Sequence, residues 1–146
     1  MGCAGCERVA AGRASPFFLA DLRESVAVLH PHQAYRGWCV LWLKEHAEHL
    51  HALEPQRQAR LWLDVNDVAR AAAAVTGCRR LNYENLGNVV GHVHWHVIPR
   101  YQPPIDPDPK APVWVRGRAA LECGVSDAER DALAIALRAR LGPAAT

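Results

Sequence analysis

Apolar residues gather in several short runs over the N-terminal two-thirds of the chain, bounded by polar and turn residues, which is the pattern of strands. Phe17 to Leu22 and Ser25-Val-Ala-Val-Leu-His30 read as two such strands, and His30 to Gly37 as the loop that follows. Trp38-Cys-Val-Leu-Trp-Leu43 is uninterruptedly apolar and predicts a third strand buried on both faces. Helical spacing then takes over. Leu61, Val65, Val68, Ala72 and Val75 recur at three- and four-residue spacing, which predicts one long helix. Leu53-Glu-Pro-Gln opens it with Pro55 in the first turn, and Gly77 ends it. Arg79 to Tyr83 predicts a fourth strand and Gly91 to Arg100 a fifth, with Leu86-Gly-Asn88 between them. Tyr101 to Pro112 carries five prolines and predicts an irregular surface crossing. Ser126 and Glu129 form a capping-box pattern ahead of Leu133, Leu137 and Leu141, which predicts a closing amphipathic helix. The residues before Phe17 read as a loose Gly/Ala/Arg start.

Strands joined by short loops, with helices gathered at two places, indicate an α+β fold with an antiparallel sheet. The 146 residues suit one domain, 1–146, with no linker separating two apolar sets. The formal charge of +2 offers no electrostatic reason to expect a partner in polymeric nucleic acid. No apolar run approaches the length of a bilayer span, so no membrane partner is expected either. The N-terminus lacks the apolar stretch of a secretory signal. It begins Met-Gly-Cys, but Cys6 stands where a myristoylation signal needs Ser or Thr, and the expected compartment is the cytoplasm. Five cysteines, an odd number, argue against a complete disulfide framework.

The chemistry concentrates in the fifth strand. His92, His94 and His96 alternate with Val93, Trp95 and Val97, so the three imidazoles share one face while the apolar groups turn inward. Two readings follow. Histidines at i and i+2 start about 7 Å apart and can converge on zinc, but a third at i+4 starts about 13 Å from the first on a nearly parallel vector. A mononuclear zinc hydrolase built on His92 and His94 therefore leaves His96 unexplained. The other reading is nucleophilic catalysis, with a central imidazole attacking phosphorus and its neighbours orienting it and stabilising charge.

His92-Val-His94-Trp-His96-Val-Ile resembles the signature of the histidine triad (HIT) superfamily of nucleotide hydrolases and transferases. Upstream Asn82, Gly87 and Asn88, trailing Pro99-Arg100, and the segment Gly37-Trp-Cys-Val-Leu-Trp-Leu-Lys44-Glu-His46 fit the same family, over roughly residues 17–100. Leu86-Gly-Asn-Val-Val and His94-Trp-His-Val-Ile-Pro-Arg-Tyr resemble, more narrowly, bacterial HIT proteins described as diadenosine tetraphosphate hydrolases. The resemblance implies a five-stranded antiparallel sheet with one long helix and a C-terminal helix. It implies His94 as nucleophile on the α-phosphorus of a nucleotide, His96 on the same phosphate, and a nucleoside monophosphate as product. Asn82 and Asn88 occupy positions where relatives bind phosphate or leaving group. Trp38 stands where many members carry an orienting histidine and is counted with Asn82, Asn88 and His30 among the substrate-binding candidates, and Val89 stands where a small hydroxyl residue is common. His30, or His32, in the loop beside the expected nucleotide pocket, is the candidate to take over part of those roles.

Cys3-Ala-Gly-Cys6 has the spacing of half a zinc site. Relatives that hold a structural zinc pair such cysteines with two histidines, and the resemblance nominates Cys3, Cys6, His46 and His92, with no organic cofactor. His49 and His51 read as solvated, and Trp42, Trp62, Trp95 and Trp114 as packing, with Trp114 a candidate to cover the pocket. Nucleoside phosphoramidase activity, or a zinc-stabilised nucleotide-binding module with little turnover, are the other functions in view. Leu61-Trp62-Leu63 is apolar around more than half of the long helix, which, with the family's habit of pairing, predicts a homodimer with Trp62 at or near its interface.

Overall fold

The computed structural model describes residues 2–142; Met1, and with it the start of the acylation pattern, lies outside them. Five strands form one antiparallel sheet: β1 (Phe18–Asp21), β2 (Ser25–Leu29), β3 (Cys39–Leu43), β4 (Arg80–Glu84) and β5 (His94–Arg100), in the order β1-β2-β3-β5-β4. The long helix α2 (Pro55–Thr76) lies between β3 and β4, and a short α3 (Arg118–Leu121) precedes the closing α4 (Asp127–Leu141). The ends follow local chemistry. Pro55 sits at the first helical position of α2, and Gly77 stops it in a left-handed conformation, φ 62°. Ser126 and Glu129 make a full capping box on α4.

Strand alternation sorts the side chains into two layers. Ala27, Leu41 and Val97 face α2 and α4, where they pack with Val65, Val68, Leu133 and Leu137. Val26, Val28, Val40 and Trp42 face the opposite side. The register Trp42↔His94 and Val40↔His96 puts both histidines on that second side, away from the long helix.

Two expectations fail. The N-terminal stretch is ordered: Ala4–Ala11 form a helix, α1, laid over the second face against β3. Single-turn propensity does not hold so short a helix in water; docking does, with Gly5 buried and Val9 packed beside Phe18 and Trp42. The fifth strand begins at His94 rather than Gly91. Val93 N–H donates to Ala47 O (2.7 Å) and Leu43 N–H to Val93 O (3.1 Å), so the chain bends in at the end of β3 and leaves His92 in a bend just ahead of the ladder.

The proline-rich crossing is tied from below. Arg100, buried at the end of β5, donates to Asp106 (2.6 and 3.1 Å), to Asn82 Oδ1 (2.6 Å), and to the carbonyls of Asp108 (2.9 Å) and Ala111 (2.8 Å). Asp106 is fully buried, and breaking so desolvated a pair from one side is strongly destabilising. This anchor delivers Val113–Arg116, a single 3-10 turn carrying Trp114, to the sheet face that holds the histidines. No described helix is long and apolar enough to cross a membrane.

Candidate active site and an adjoining metal cluster

A cavity of about 340 Å³ opens on the second face of the sheet. Its walls include Arg8 of α1, His30, Trp42, Asn88, Trp114 and the pair His94 and His96. The two rings lie 5.2 Å apart, edge to face. His94 stacks on Trp42 across the strands, at 4.5 Å and 22°.

The hydrogen bonds fix which nitrogen of each ring is reactive. His94 Nδ1 lies 2.7 Å from His92 O, and a carbonyl oxygen can only accept, so Nδ1 carries the proton and the Nε2 lone pair is free. His96 is held in the opposite sense: Trp38 Nε1–H donates to His96 Nδ1 (3.1 Å), which places the remaining proton on Nε2. One ring is thus a nucleophile or base and its neighbour a neutral donor. Trp38 is fully buried and does not line the cavity, so its expected substrate contact is corrected to a positioning role on His96. His30 stacks on Trp38 (4.2 Å, 11°) and its Nδ1 is pinned by the His32 backbone.

Burial pushes His96 down to about 3 and His30 down to about 4, so both are neutral at pH 7. In the unfolded chain these groups titrate near the ordinary 6.5. Between those values the unfolded state binds more protons than the native one, and stability falls as pH falls. From pH 7 to pH 5 each histidine contributes about 2 kcal/mol to that loss. Chemical denaturation at the two pH values measures it, and a His96→Gln variant should lose less than the wild type. Equal losses would show that His96 titrates normally.

Asn82 is the other correction. Its amide oxygen is taken by Arg100, and it borders a separate surface groove beside Arg79 and Arg80 rather than the histidine cavity. Asn88 does line the cavity, as does the exposed Val89. Trp114 reaches the cavity, edge-on to His96 at 5.5 Å, and its indole N–H donates to Glu84. His49 and His51 are exposed and stack on each other outside it. Sequence reasoning missed Asn85, whose amide donates to His94 O (2.7 Å) and ties the 85–91 loop to β5. It missed Arg8 because α1 was not expected, and Trp42 because an apolar strand residue facing a cavity looks the same in sequence as one facing a core.

Beside the cavity, Cys3, Cys6, His46 and His92 bring one donor atom each within 4.8 Å of one another. The edges are Cys3 Sγ–His92 Nδ1 3.4 Å, Cys6 Sγ–His46 Nδ1 3.6 Å, Cys6 Sγ–His92 Nδ1 3.7 Å and His46 Nδ1–His92 Nδ1 3.4 Å. Tetrahedral zinc, with Zn–N of about 2.05 Å and Zn–S of about 2.3 Å, sets N···N edges of about 3.3 Å and N···S edges of about 3.6 Å. The donor set fits that geometry. His92 Nε2 donates to Leu43 O (2.7 Å), which leaves Nδ1 as the lone pair facing the cysteines. His92 is therefore turned away from the cavity, and His92 and His94 do not converge on a common ion. Gly5, between the cysteines, has no room for a Cβ against the His92 ring.

A family model for the HIT domain matches residues 13–103. Among solved structures, a histidine triad protein of Bradyrhizobium japonicum superposes with a TM-score of 0.76 at 27% identity, covering 86% of this chain and 90% of its own. A histidine triad protein of Sinorhizobium meliloti gives 0.76 at 26%, covering 85% and 88%. A zinc-bound histidine triad family protein of Mycobacterium smegmatis gives 0.69 at 23%, covering 97% and 94%, a likeness of fold. No curated protein matches the chain. With His94 and His96 in the cavity, His92 beside it, the five-stranded sheet behind them and the matched model across residues 13–103, the chain belongs to the HIT domain family.

Proposed function

We propose that this protein is a nucleotide hydrolase that cleaves a dinucleoside polyphosphate of the diadenosine tetraphosphate kind at the α-phosphorus, through a nucleotide carried on His94. The observation that supports this most directly is the pair of opposed tautomers: a free Nε2 lone pair on His94 beside a neutral N–H donor on His96. In the first step His94 Nε2 forms a bond to the α-phosphorus, the bond from phosphorus to the bridging oxygen breaks, and its electron pair leaves with the remaining nucleoside polyphosphate. The imidazolium so formed keeps its Nδ1 proton on His92 O. His96 Nε2–H donates to a non-bridging phosphate oxygen, an interaction that grows with the charge developing there. Water then attacks phosphorus, the P–N bond breaks with its pair returning to Nε2, and nucleoside monophosphate is released.

The same first step serves a nucleoside phosphoramidate, and a panel of both substrate classes, with products separated by chromatography, decides between them. An alkaline quench during turnover, which preserves a P–N bond, should also trap protein heavier by one nucleotidyl group, localised to His94. A panel in which nucleotides bind but none is turned over would favour a nucleotide-binding module instead.

Zinc held by Cys3, Cys6, His46 and His92 belongs to this reading as a structural ion that supplies no chemistry to the reacting phosphorus. A cytoplasmic setting suits it, because the two thiols stay reduced there. Pairing of two copies is part of the proposal. Trp62 is 45% exposed and continues into Leu63, Tyr83 and the edge of Trp95, an apolar face at the α2–β4 side of the sheet. Light scattering should give twice the 16.1 kDa of one chain, and Trp62→Glu should halve it. A wild-type mass of one chain would end the dimer proposal.

A further inference from the structure

Among the residues lining the histidine cavity Arg8 of α1 is the one arginine, and no lysine, aspartate or glutamate stands beside it. Its guanidinium lies over the Trp42 ring, 5.6 Å from the centroid, and Trp42 in turn stacks on His94. Among the described residues no carboxylate pairs with it, whereas Arg23, Arg57 and Arg100 are each paired with one. Its charge is also felt at His30 across the cavity. A cation held on an aromatic face but left without an anion is a site prepared for one.

We propose that Arg8 determines which nucleotides this cavity accepts, by holding the phosphates beyond the one that His94 attacks. This rests on the hydrolase reading above and specifies its substrate class: a nucleotide whose leaving group carries phosphate charge, in preference to one whose leaving group is a neutral amine. His96 is a neutral donor and supplies direction at the α-phosphate. Arg8 supplies the fixed positive charge that the rest of a polyphosphate chain requires, and α1 brings it there because Cys3, Gly5 and Cys6 seat that helix against His92.

The test is a binding series on the whole chain in a His94→Ala background, so that nothing turns over, read by calorimetry with adenosine, AMP, ADP and ATP. Arg8→Gln should weaken ADP and ATP by about tenfold or more while leaving adenosine within about twofold. Arg8→Lys should recover part of the loss, because it keeps the charge without the planar fork. A loss of equal size for adenosine and ATP would make Arg8 a stacking surface for the nucleoside and overturn the proposal, as would undiminished ATP affinity. If the Arg8-containing parent binds none of the four ligands, the nucleotide reading itself fails, and that outcome is distinct from either of the others.

Discussion

His94→Ala is expected to abolish turnover, with a fall of at least about 10³-fold, while nucleotide affinity stays close to wild type. No other side chain stands in for it. His92 has both ring nitrogens occupied, Nε2 by Leu43 O and Nδ1 by the cysteine cluster. His96 presents N–H rather than a lone pair, and burial holds it neutral. His30 is stacked on Trp38 with its Nδ1 engaged by the His32 backbone. Binding should survive because Arg8, Asn88, His96 and Trp114 still line the cavity when the His94 ring is gone. Steady-state rates and equilibrium binding measured on one preparation separate the two quantities. A variant retaining near wild-type rate would rule out a covalent intermediate on this residue, and one that lost binding in equal measure would assign His94 to substrate affinity instead.

Removing the cysteine pair is expected to have the largest effect on stability. Purified without chelator and under reducing conditions, the wild type should carry up to one zinc per chain, and Cys3→Ser/Cys6→Ser should carry none. Metal held in a preformed set of two thiolates and two imidazoles adds its binding energy to folding, so the double variant should melt lower by about 10 °C or more. Gly5→Ala provides a second probe that keeps all four donors. A methyl group there collides with the His92 ring, so metal should bind more weakly although no ligand has been changed. A wild type that is metal-free yet as stable and active as a zinc-supplemented sample would remove the ion from the account.

How much of this was legible in sequence follows from what each signal encodes. Apolar runs placed β1, β2, β3 and β5 within a few residues, because each of those strands buries at least one face; β4, none of whose residues is fully buried, left a weaker signal and was placed one residue early. Pro55, Gly77, Ser126 and Glu129 placed the helix ends, because caps are local chemistry. The i, i+2 spacing gave the shared face of His94 and His96 for the same reason, whereas His92, just ahead of the ladder, turns to the cysteines instead. Tertiary partners were not legible. Asn82 belongs to Arg100, a contact across the β4–β5 pair, and nothing near either residue in the chain announces it. Helix α1 folds because it docks, so its eight residues carry no propensity signal of their own, and Arg8 stayed hidden with it. Trp38 was noticed as a departure from the family pattern, but only the 3.1 Å contact to His96 shows that an indole N–H orients that ring.

His92 makes three bonds at once: its Nε2 holds Leu43 O, its Nδ1 faces the two thiols, and its carbonyl fixes the proton of His94. With zinc in the cluster, metal occupancy and nucleophile orientation therefore share a residue, and a coupling between two bound species is reciprocal. Because His94 contributes orientation rather than affinity, stripping the ion is expected to slow turnover while nucleotide binding, and by reciprocity the hold on zinc with nucleotide present, stays as it was.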